Sequence, residues 1–115
     1  MTTLEIAKEA AKTLDDKKAL NVKVIDVDEV STLANYFVIA TGSSSTHVKA
    51  LADEVEFNLK QKGVKLDHIE GHRDKSWILL DYSSVIVHVF SEEARDFYDL
   101  ERLWKDGKPL NLLEM

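Results

Sequence analysis

Two short apolar runs separated only by Ser83-Ser84 constrain this chain more than any other stretch: Trp77–Tyr82 and Val85–Phe90. Runs of strand length joined this closely pair as an antiparallel hairpin. With Ser83-Ser84 as the turn, Tyr82 lies opposite Val85, Leu80 opposite Val87 and Ile78 opposite Val89. Side chains alternate along a strand, so one face collects Ile78, Leu80, Tyr82, Val85, Val87 and Val89 and is expected to be core. The other face collects Trp77, Leu79, Asp81, Ile86, His88 and Phe90. A carboxylate and an imidazole among large aromatics suit a contact surface better than a dry core. The competing reading is a sheet covered on both sides by helices, with Trp77 and Phe90 as ordinary core. Ser-Ser lacks the Gly or Asn that a two-residue turn favours, which leaves the register less tightly fixed.

Ser91 offers an N-cap to a following helix, and Glu92 and Glu93 suit its first turn. Six of the nine aromatic residues fall between Ser76 and Trp104, and none in the first thirty-five positions, so this segment builds the core or meets a partner.

The remaining chain supplies the layers. Thr2 with Glu5 forms a capping-box signature, and Leu4, Ala7, Ala11 and Leu14 follow as one helical stripe that fades near Asp15–Lys18. Val22–Val27 reads as a β-branched strand, Val30–Asn35 as a loop, and Tyr36–Thr41 as a strand in the middle of a sheet. After Gly42, Ser44 or Ser45 caps a second helix with Val48, Leu51, Ala52, Val55 and Leu59 inward and Gly63 as its stop. Val64–Glu70 reads as a short strand closed by Gly71, followed by the charged turn His72–Lys75. The expected order is α-β-β-α-β-β-β-α, an α/β (α+β) fold with a mixed five-stranded sheet and flanking helices. Residues 1–115 are one domain, with 105–115 a tail that straps onto the body or stays mobile.

A net charge of -6 over 115 residues argues against broad binding to phosphate backbones and favours a basic partner. The chain has no cysteine, which excludes disulfides and thiolate metal sites. No apolar run is long enough to span a bilayer, and the charged N-terminus lacks the centre of a signal peptide, so a cytoplasmic location is expected.

Chemistry finds little support. His68, Glu70 and His72 share one face of a regular strand and would suit a metal, but Gly71 and the loop after it weaken the geometry and exposed strand-end polar residues are the favoured reading; no metal and no cofactor are expected. The strand–Gly-Ser–helix unit at Gly42-Ser43 resembles the opening of nucleotidyltransferases and could cradle a phosphate, although a capped helix start explains it too. The paired carboxylates such enzymes need on the next strand are missing: Asp67 and Glu70 are three apart, and Asp26 and Asp28 precede the loop. Ser43–Ser45 have no nearby base except His47, which reads as a first-turn residue. No catalytic residue is expected.

Asn35–Gly42, His47-Val48, Ala52–Val55, Glu70-Gly71, Trp77–Tyr82, Val87–Phe90 and Phe97–Trp104 together resemble the ribosomal silencing factor (RsfS, or Iojap) family over nearly the whole chain. Phe97–Trp104, reading FYDLERLW, is the most specific stretch. Two departures are Ser83-Ser84, where the family usually has a glycine after Asp-Tyr, and Asn35, where it often has Asp. The resemblance implies a nucleotidyltransferase-like fold without catalytic carboxylates. It also implies binding to the large ribosomal subunit through its basic ribosomal protein numbered fourteen, which blocks joining of the small subunit and represses translation under nutrient limitation. A minor contact with ribosomal RNA stays open, and a separate structural reading is a homodimer of the free protein whose mixed hairpin face is the self-interface. The residues expected to carry the contact are Trp77, Leu79, Asp81, His88 and Phe90, with Tyr98, Leu100, Glu101 and Trp104 beside them. Trp and Tyr would anchor, and Asp81 and Glu101 would meet Lys or Arg. The alternative is a degenerate, nucleotide-binding relative of the nucleotidyltransferases.

Overall fold

The computed structural model describes residues 1–29, 34–71, 76–98 and 108–110, with 96–98 and 108–110 described by backbone alone. Helix α1 (Thr3–Asp16) starts at the expected capping box: the Thr2 hydroxyl accepts from the Glu5 N–H at 3.2 Å, and the Glu5 carboxylate accepts from the Thr2 N–H at 2.9 Å. Its buried stripe is Ala7, Ala10, Ala11 and Leu14, whereas Leu4, expected on that stripe, lies one turn too early to be covered and is exposed. Strands β1 (Leu20–Asp26) and β2 (Tyr36–Gly42) are antiparallel. Helix α2 (Ser45–Gln61) begins at the Ser44 cap and buries Val48, Leu51, Ala52, Val55 and Leu59, the stripe its sequence spacing specifies.

Strand β3 is shorter than expected. Only His68–Glu70 pair, because Gly63 turns the chain with φ of +80° and the Val64 N–H bonds back to the Leu59 carbonyl at 2.9 Å. Val64 and Leu66 then pack against the core beneath α2 instead of joining the ladder. Strands β4 (Trp77–Asp81) and β5 (Val85–Ser91) form the hairpin in the expected register, Ile78 opposite Val89 and Leu80 opposite Val87. The turn that joins them is held by specific bonds. Ser83 takes a left-handed φ of +69°, its N–H donates to Asp81 Oδ1 at 2.7 Å, and the Ser84 carbonyl accepts from Asn35 N–H at 2.8 Å. These bonds supply the fixity that a Ser-Ser sequence lacks on its own.

The sheet order is β3-β4-β5-β2-β1 followed by a sixth strand, β6 (Lys108–Leu110). The five expected strands are all present. The sixth comes from the tail, with Lys108 opposite Asp26 and Leu110 opposite Val24. Pro109 fits there because an edge strand does not need every N–H. All pairs are antiparallel except β2 with β5, which run parallel. Helices α1 and α2 cover one face, where the whole valine-rich set, Ile78, Leu80, Tyr82, Val85, Val87 and Val89, is buried as expected. Helix α3 (Glu92–Tyr98) lies on the other face and buries Ala94 against Ile25, Val27, Ile39 and Phe90. The result is one α+β domain. Among the described residues no helix is long and apolar enough to cross a membrane.

Candidate functional site

On the second sheet face the ladder aligns Glu70, Leu79, His88 and Ile39 in one row, and His68, Asp81, Ile86 and Phe37 in the next. A third row holds Trp77, Phe90 and Thr41. Because α3 sits over the β5–β2–β1 part, burial falls from that side toward β3. Phe90 is fully covered, and His88 retains only 5% of its surface. These two were expected in the contact surface; Ala94 of α3 packs with Phe90, and the rings of Phe37, Trp77 and Phe90 surround His88. Trp77, Leu79 and Asp81 on β4 stay partly exposed, and His68 and Glu70 on β3 are exposed. Of the other expected contact residues, Tyr98 ends α3 and is described by backbone only, while Leu100, Glu101 and Trp104 lie outside the described residues.

The aromatics at this boundary form one packed group. Trp77 stacks on Phe90 with ring centroids 5.1 Å apart, His88 stacks on Phe90 at 6.1 Å, and Phe37 meets His88 edge-on at 4.9 Å. The Trp77 indole N–H donates to His88 Nδ1 at 3.1 Å. Burial alone pushes the His88 imidazole down to about 4, so it is neutral at physiological pH. Phe37, partly exposed in this group, was not singled out from sequence; the unbroken apolar run Tyr36–Thr41 carries no alternation that would reveal its face.

The carboxylates cluster on the open side. Asp81 Oδ1 holds the hairpin turn through Ser83, while Oδ2 lies 3.4 Å from His68 Nδ1. Asp67 is 3.6 Å from the same nitrogen, and Glu70 is 3.4 Å from His68 Nε2, placing His68 and Glu70 on one face as their spacing requires. Asp67, His68 and Asp81 each bring one potential metal ligand within 4.8 Å of the others. Exposed polar side chains at a strand end make the same arrangement without an ion. His72, the third member of the metal set considered from sequence, lies outside the described residues.

At the Gly-Ser loop the helix-start reading holds. The Ser43 N–H donates to His47 Nδ1 at 2.9 Å, the His47 N–H donates to Ser44 Oγ at 3.1 Å, and His47 Nε2 reaches the Lys17 carbonyl at 3.0 Å. The Ser43 and His47 N–H groups are thus engaged by this chain's own side chains, as a capped helix start requires. Gly42 is small because α2 crosses it: a Cβ there would lie 2.7 Å from Val48 Cγ2. On the opposite side, Arg95 of α3 is buried and donates to Thr41 Oγ1 at 2.9 Å and to the Asn21 carbonyl at 3.2 Å, pinning α3 across β2 to β1. Nothing in the local pattern around Arg95 distinguishes it from a solvent-facing helix residue.

The family model described as "Ribosomal silencing factor during starvation" matches residues 1–114. A ribosomal silencing factor RsfS of Chromobacterium violaceum is 39% identical over 95% of this chain and 89% of its own length. That of Bacillus subtilis is 37% identical over 93% of this chain and 91% of its own. A crystal structure of a Chromobacterium violaceum protein superposes with a TM-score of 0.88 at 39% identity, covering 91% of this chain and 88% of that one. With the fold and the sequence agreeing from end to end, this chain belongs to the ribosomal silencing factor (RsfS/Iojap) family.

Proposed function

We propose that this protein docks on the large ribosomal subunit through its basic ribosomal protein numbered fourteen, blocks joining of the small subunit, and so represses translation when nutrients are scarce. The observation that carries the reading is the open half of the second sheet face. Trp77 and Leu79 provide partly exposed apolar surface, and Asp81, Glu70 and Asp67 rim it with negative charge. An aromatic anchor within an acidic rim fits a basic protein surface, the anchor supplying affinity and the rim orientation and on-rate. The chain's net charge of -6 acts in the same direction over longer range. The action is steric and uses no chemistry, in keeping with a regulatory family.

The test is co-sedimentation with purified large subunits at moderate salt, together with the fraction of joined ribosomes when small subunits are added. Binding and a lower joined fraction are expected; no co-sedimentation sinks the proposal. Glu70→Lys reverses a charge on a side chain that is 66% exposed, so it should weaken binding while leaving stability within about 0.5 kcal/mol. Free protein analysed by sedimentation equilibrium decides separately whether it forms a homodimer.

A further inference from the structure

Among the described residues, Tyr82 and His88 each bury a side-chain polar atom without a hydrogen-bond partner, and of the two His88 lies on the second sheet face. It is almost wholly buried, yet its Nε2 has no hydrogen-bond partner. Buried polar atoms are rarely left so, and each one calls for a reason. The other ring nitrogen supplies it. An indole N–H can only donate, so the 3.1 Å bond from Trp77 Nε1 requires a bare, accepting Nδ1 on His88. A neutral imidazole with a bare Nδ1 carries its proton on Nε2. The unpartnered Nε2–H is thus the consequence of serving Trp77. Three ring contacts, with Phe37, Phe90 and Trp77 itself, hold the imidazole plane so that Nδ1 faces the indole.

We infer that His88 is a positioning residue: in its Nε2–H tautomer it fixes the rotamer of Trp77, so that the indole presents one set face at the open edge of the sheet. The inference deepens the proposed function, resting on Trp77 being the partner anchor. It assigns His88 a different part from the direct contact expected of it, since a residue this buried acts through its neighbour. Stacking on Phe90 does not by itself distinguish the two indole placements related by half a turn about χ2, whereas the directional bond to Nδ1 does.

Nitrogen NMR of the free full-length chain reads the tautomer directly. A protonated Nε2, a bare Nδ1 and a nitrogen–nitrogen coupling to the Trp77 indole are expected; a protonated Nδ1 overturns the inference. His88→Leu keeps an apolar filler but removes the acceptor, whereas His88→Asn places an amide oxygen near the Nδ1 position. The leucine variant should show Trp77 in two rotamers by nuclear Overhauser contacts and bind large subunits about tenfold more weakly, the worth of one directed hydrogen bond. The asparagine variant should restore one rotamer and most of the binding. A single Trp77 rotamer in a cooperatively unfolding His88→Leu protein overturns the inference. Should that variant not fold, the wild-type tautomer and the His88→Asn rotamer decide. Failure of the wild-type chain to bind large subunits removes the partner reading, while the free-protein spectra still decide what His88 does to Trp77.

Discussion

Acid should destabilise this protein through His88 in a way that one substitution removes. An imidazole in the unfolded chain takes its proton near pH 6.5, and the buried one only near about 4. Above this interval both states are neutral at this site and the group contributes no pH dependence. Within it the unfolded chain binds a proton that the folded chain refuses, so stability falls as pH falls. The slope is about 1.4 kcal/mol per pH unit, and over the interval the loss is on the order of 3 kcal/mol. Against a domain stability of about 5–15 kcal/mol, that is a large fraction. The cause is desolvation of the charged ring.

The assay is urea unfolding followed by far-ultraviolet circular dichroism at pH 7.5 and at closely spaced values down to 4.5, for wild type and His88→Asn. Contributions common to both proteins cancel in the difference. The wild type should lose on the order of 2 kcal/mol more than the variant by pH 4.5. Parallel curves would refute the reasoning, showing that the ring is solvated or takes its proton in place.

Three substitutions test the frame that carries the site. Ser83→Gly should stabilise by about 0.5–1 kcal/mol in chemical denaturation, because glycine accepts the +69° φ without the cost a side chain incurs; destabilisation would mean that the serine side chain contributes more than the backbone strain removes. Gly42→Ala should destabilise by about 1–3 kcal/mol, since its Cβ would meet the Val48 N at 2.8 Å and displace the first turn of α2. Arg95→Met should cost about 1–3 kcal/mol by leaving the Thr41 hydroxyl and the Asn21 carbonyl without this donor. In that variant amide hydrogen exchange should rise in α3 before it rises in β4 and β5.

The hairpin was legible because alternation is a local signal: residue parity alone separated the valine-rich core face from the mixed face, and the ladder has that register. Parity does not say what covers a face. Phe90 is buried because α3 turns back over β5, and the direction of that turn depends on Arg95 finding Thr41 and the Asn21 carbonyl on other strands, while His88 lies among the rings of Phe37, Trp77 and Phe90. No pattern within Glu92–Tyr98 encodes those partners. The shortened β3 is a related case. Val64 and Leu66 have strand-like character, but the Gly63 turn directs them into the core under α2, and only His68–Glu70 reach the ladder. Lys108–Leu110 is too short to show a period, so its pairing with β1 had no sequence signal beyond a proline compatible with an edge. Gly42, by contrast, was correctly placed at a helix start, though its reason is the close approach of Val48 rather than room for a phosphate.

Under the proposed function, a protein this small has to hold apart two much larger particles. Affinity depends on what remains after the costs of ordering the interface, so a surface already set in the free state binds more tightly for the same area. Each element of the open face here is fixed from behind. Trp77 is stacked on buried Phe90 and bonded to His88; Asp81 is tied to the Ser83 N–H through the oxygen that does not face His68. Gly71, with φ of +77°, lets the chain pass so near the Trp77 carbonyl that a Cβ would lie 1.9 Å from it, which sets where β4 begins. The looser part among the described residues is the rim, where Asp67 and Glu70 lie 3.6 and 3.4 Å from the His68 ring nitrogens. Under the proposed function a rigid centre would supply the lifetime of the complex, and a pliable acidic rim would steer the encounter. Salt should then slow association with large subunits far more than it speeds release. An equal effect of salt on both rates would place the charges inside the contact instead of around it.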